Sequence, residues 1–228
     1  MKKITALLTM LMAGGSFLAQ NPEATSVADW SYDIYQVNKK YPGYVITADN
    51  DTVQGFIKAQ SRCSVGGMGA SNQNRCEFFA KEGDKKPTAK YKPADINGYM
   101  IADKVYESIA YSGGLLKKPN FNLVVEDGAI RIYEWYSTVE GFSSIRQQSG
   151  ESQKDYDARR YSTNIIIAKG GEDPKAHSSY LLKFADKMSE LVSENTELSA
   201  KVSNKEDGYK MFAMFAIIRE YNEWAKNN

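Results

Sequence analysis

Beyond residue 40, runs of alternating apolar and polar positions follow one another, each broken by a short knot of turn-forming residues. "GYVITADNDTVQGFIKAQ" (43–60) holds two such runs around Asp49, Asn50 and Asp51. Asn and Asp tolerate left-handed backbone and bond to nearby amides, so the knot predicts a hairpin turn. A calcium loop fails by count from Asp49: Val53 stands at position 5, Gln54 at 6 and Gln60 at 12. An EF-hand needs an oxygen ligand, Gly and Glu at those places.

The same grammar continues down the chain. "RCEFFAKE" (75–82) and "PTAKYKP" (87–93) flank "GDKK", and "NGYMIADKVYESIAY" (97–111) gives two short strands around Ala102, Asp103 and Lys104. "FNLVVEDGAIRIYEWYS" (121–137) sets Asp127-Gly128 between Val/Ile-rich arms, the strongest short-range hairpin signal. "GESQKDYDARR" (150–160) is polar and predicts an exposed loop, and "YSTNIIIAK" (161–169) predicts a strand. Short strands at regular spacing predict an antiparallel meander that forms a sandwich or open barrel.

The period then changes. "GGEDP" (170–174) offers Asp173 as an N-cap and Pro174 as the first helical residue. Leu181, Phe184, Met188 and Leu191 follow on one helical face. "SENTELSAKV" (193–202) predicts a short helical turn, and Asn204 with Asp207 a capping arrangement for a last helix from about Glu206 to Trp224. Its "MFAMFAII" (211–218) is apolar nearly all round, which predicts burial of Met211, Phe212, Met214, Phe215, Ile217 and Ile218. The fold class expected is therefore α+β, with residues 20–169 as the β domain and 170–228 as a helical segment packed on it.

The N-terminus changes the compartment. "MKK" supplies a positive region, "ITALLTMLMAGGSFLA" an apolar one, and Ala19 a small residue before a cut at Gln20. This predicts a signal peptide over 1–19 and an exported protein, although Phe17 sits where a small residue is preferred. The alternative is an anchor that stays attached, for which the apolar run is short. With no Cys near the cut, lipid attachment at a new N-terminal Cys is excluded. "MFAMFAII" is too short to span a bilayer, so no transmembrane segment is expected after cleavage.

Export bears on Cys63 and Cys76, the two cysteines, which bracket "SVGGMGASNQNR". In an oxidising compartment such cysteines pair, stabilising the fold by about 3 kcal/mol in the chain-entropy model. The other reading is a redox or nucleophilic thiol, for which no C-x-x-C spacing speaks.

The mature chain resembles a family of exported proteins of Bacteroidota. The residues that carry the resemblance are "GYVITADNDTVQGFI" (43–57), "YKPADINGY" (91–99), "VVEDGAIRIYEWY" and the closing "IIREYN" (217–222). These are turn and packing residues, so the resemblance implies location and architecture: the periplasm or the periplasmic face of the outer membrane. It also suggests an accessory role in an envelope or secretion assembly, a plug or adaptor of a type IX-style translocon being one concrete form. The long Cys63–Cys76 loop and the charged 150–160 segment depart from the family pattern.

Candidate chemistry is sparse. With 29 basic and 28 acidic residues, the charge of +1 gives no basic field for nucleic acid. His177 is the only histidine, so histidine-rich metal sites and H-E-x-x-H are excluded, and a triad would have to use this one residue at a predicted helix entry. "VGGMGAS" (65–71) lacks the G-K-S/T ending of a phosphate loop. No cofactor or metal set is expected and no enzyme is read. Tyr133 and Trp135 share one strand face, as a sugar-stacking platform or as a buried aromatic pair. Asp155, Asp157, Arg159 and Arg160 offer a polar contact surface or a merely solvated one. The expectation is a non-catalytic protein that binds envelope or outer-membrane proteins, with a carbohydrate- or peptide-binding β domain as the alternative and a hydrolase behind both.

Overall fold

The computed structural model describes residues 36–62, 64, 69–111, 118–139 and 145–228. The predicted signal peptide and its cut, Cys63 and most of the Gly-rich loop lie outside the described residues, as does the Asp157 side chain.

The predicted turns fold as expected. Strands β1 (Lys40–Thr47) and β2 (Thr52–Lys58) pair through Asp49-Asn50-Asp51, with Asn50 at φ 66 and its amide bonded to the Thr47 carbonyl at 3.0 Å. Asn97 Nδ2 then holds the Asn50 side chain from β5 at 2.8 Å. β3 (Cys76–Phe79) and β4 (Ala89–Tyr91) form the second hairpin, and β5 (Ile96–Ile101) and β6 (Lys104–Ile109) the third. β7 (Asn120–Glu126) and β8 (Ile130–Thr138) turn at Asp127-Gly128, and β9 (Tyr161–Lys169) extends the sheet to the short β10 (Lys175–Ala176).

All ten strands are antiparallel and belong to one sheet, in the order β10-β9-β8-β7-β6-β5-β1-β2-β3-β4. The fold is α+β as expected, and its sheet is single and open, neither split into two sheets nor closed into a barrel. It is also not a plain meander, because β5 returns to pair with β1 on the side away from β2. Gly43 faces Gly55 across β1 and β2. A Cβ at Gly55 would lie 2.5 Å from the Phe78 ring, so glycine lets the rings of β3 close over the strand.

The 150–160 segment is a correction. It contains a helix, α1 (Gln153–Arg160), where the sequence predicts a loop. Ser152 caps it by accepting from the Asp155 amide at 3.2 Å and donating to the Asp155 carboxylate at 2.6 Å. Its polar composition hid the helix, since there is no apolar stripe for periodicity to detect.

The C-terminal segment is helical, but its starts move. No helix begins at Asp173; the chain runs on as β10, then α2 (Ser178–Leu181) and α3 (Phe184–Leu191), interrupted at Lys183 by a left-handed residue with φ 58. α4 (Thr196–Ser203) is capped by Asn195, whose Oδ1 accepts from the Leu198 amide at 3.1 Å. The last helix, α5 (Met214–Ala225), follows a 3-10 turn at Met211–Ala213 and begins later than the Glu206 expected.

Two cores result. One gathers Val45, Ile57, Tyr99, Tyr106, Phe121 and Tyr136 from strands of the sheet. The other sets Ile130, Ile132 and Ile167 against Met188, Leu198, Val202, Ile217 and Ile218 of the helices. On β8, Ile130, Ile132, Glu134 and Tyr136 share one face by alternation, so Glu134 marks the seam between the cores. Within "MFAMFAII" the burial expectation divides. Met214, Ile217 and Ile218 are buried, whereas Phe212 is 97% exposed and Met211 39%.

Candidate functional site

Where β7 and β8 separate, polar side chains enter the interior of the sheet. Leu123 pairs with Glu134, and the same register would bring Phe121 opposite Tyr136. Gln73 intervenes instead. Its carbonyl accepts from the Phe121 amide at 2.9 Å. Its side-chain Oε1 accepts from the Tyr136 amide at 2.5 Å, and Nε2 donates to the Tyr136 carbonyl at 2.8 Å. The loop that carries Gln73 is fixed by its neighbours: the Tyr99 hydroxyl donates to the Asn72 carbonyl at 2.6 Å, and the Gln60 amide to Asn72 Oδ1 at 2.9 Å.

Around this wedge lies a run of alternating aromatic rings and guanidinium groups. Arg160 sits 4.6 Å from the centre of the Tyr156 ring and 5.5 Å from that of Tyr161. Arg62 sits 5.4 Å from the Tyr161 ring and 5.1 Å from Tyr136. The ring quadrupole attracts each cation by about 0.5–1 kcal/mol at half-exposed positions. The run ties α1 to the sheet and to the segment leading toward Cys63. At its end the Tyr136 hydroxyl donates to the Glu134 carboxylate. Burial pushes the Glu134 carboxyl above its usual value, against the pull of the Tyr136 hydrogen bond and the Arg62 charge. Burial likewise raises the Tyr136 phenol, and the Glu134 carboxylate adds to it. Gln60 Nε2 and Ser71 Oγ are buried beside the wedge without hydrogen bonds among the described residues. Most buried polar atoms are paired, so these two stand out.

The residues singled out from sequence fall as follows. Arg160 is part of the run. Arg159 is exposed and makes two bonds to the Glu151 carboxylate, at 2.7 and 2.8 Å, which hold that carboxyl down to about 2. Asp155 is exposed at the start of α1, and Asp157 lies on the same helix. Tyr133 is 2% exposed and its hydroxyl donates to Glu107 at 2.6 Å, so its ring offers no open face to a sugar; Trp135 beside it is half-buried. Cys76 is a buried free thiol, pushed far above its usual value by desolvation, with Glu77 adding to the effect. Its expected partner Cys63 lies outside the described residues. His177 stacks on Phe215 with ring centres 5.9 Å apart.

Gln73, Arg62, Tyr136 and Tyr161 escaped the sequence reading. Arg62 and Arg160 meet only because β8 and β9 pair Thr138 with Tyr161 and Tyr136 with Thr163. No local motif encodes that juxtaposition. Among the described residues, no cluster of three His, Cys, Asp or Glu is arranged to hold a metal ion, and no helix is long and apolar enough to cross a membrane. No protein-family model, no curated protein and no solved structure matches this chain at a significant level.

Proposed function

We propose that this chain is a non-catalytic interaction protein of the cell envelope, an accessory subunit that grips an outer-membrane or secretion component through the α1 end of its sheet. One observation carries the reading. Arg62 and the helix Gln153–Arg160, far apart in sequence, meet on this end through the Tyr156–Arg160–Tyr161–Arg62–Tyr136 run. A rigid sheet that displays loop-borne polar and aromatic groups is the usual architecture of a binding surface. The exposed Asp155 and Arg159 give the surface charges of both signs. Export and the periplasmic setting rest on the N-terminal pattern and on the family resemblance.

The test places a photo-crosslinking residue at the exposed Ser149, just before α1, in cells, with mass spectrometry of what it captures. The combined change Asp155→Lys and Arg159→Glu is expected to abolish both the crosslinked band and co-purification, with the sheet still folded by circular dichroism. Capture that persists with that variant, or turnover of a glycan or peptide by the purified chain, would overturn the reading.

A further inference from the structure

We draw no further inference here: the strongest candidate, the surface patch on the helical segment where the exposed Phe212 adjoins the cleft lined by Phe184, Tyr209 and Met211, is an unpartnered apolar face, and nothing in the structure shows what covers it.

Discussion

Gln73 and Asn222 serve strand β8 in the same way from opposite ends. Each uses a side-chain amide to satisfy both backbone groups of one residue, Gln73 those of Tyr136 and Asn222 those of Ile130. Both amides are buried, at 4% and 1% exposure. One arrives on a loop and the other on the last helix, so each locks a separate body to the sheet with the bond pattern of a neighbouring strand.

Gln73→Ala would strip both partners from the Tyr136 backbone in a buried place. An unsatisfied buried group costs about 1–3 kcal/mol, and the expected loss is about 2–4 kcal/mol in urea denaturation. A loss below about 0.5 kcal/mol would mean that the β7–β8 ladder simply closes.

Gly128 and Asn222 should behave as one unit. A Cβ at Gly128 would collide with the Asn222 side-chain amide, so Gly128→Ala must displace the bonds to Ile130. Each of Gly128→Ala and Asn222→Ala is expected to cost about 1–3 kcal/mol, and the double variant clearly less than their sum. Additive costs in a double-mutant cycle would show that the two sites do not communicate.

Glu134 should impose a pH slope on stability. Its carboxyl is raised in the folded state by burial, so its contribution is most favourable below the unfolded carboxylate value and is lost as pH rises through the folded one. Glu134→Gln keeps an acceptor for the Tyr136 hydroxyl and carries no charge. The variant should melt higher than the parent at pH 7, with the difference vanishing near pH 4. The opposite order at pH 7 would show that Arg62 more than repays the burial.

The apolar run at the start of the last helix separates core from surface. Ile218→Ala, at a site with 0% exposure, should cost about 2–4 kcal/mol, whereas Phe212→Ala should stay within about 0.5 kcal/mol. Phe215 is half-buried against His177, and its truncation should fall between the two. Thermal and chemical denaturation of the three variants would rank them.

Cys76 should resist alkylation in the native protein and react once the chain is unfolded, since its thiol is buried and far from ionising at neutral pH. Loss of reactivity in denatured, unreduced protein would report a bond to Cys63 instead.

The strands were legible because each carries its own evidence: alternation along the run and Asn, Asp or Gly at the turn, as at Asp49–Asp51 and Asp127-Gly128. Their order was not, since nothing local tells β5 to return to β1. α1 was missed because its helix is held by Ser152 capping and by arginine–tyrosine stacking, neither of which leaves an apolar period. Hydrophobicity alone predicts uniform burial of "MFAMFAII", because it does not say that the chain enters α5 through an exposed 3-10 turn. The candidate site depends on partners drawn from Arg62, Gln73, Tyr136 and Arg160, and only strand register brings them together.

The position of β1 has a consequence for how the chain is made. Its hairpin with β2 can form as soon as residue 58 is free, but its second edge waits for residues 96–101, after β3 and β4 have already added to the far side. Until then Val45 and its neighbours present an open strand edge, the kind that pairs with other chains. Assembly in the order of synthesis therefore has a vulnerable interval between β2 and β5. The step that ends it is a long-range closure, which should set the pace of folding.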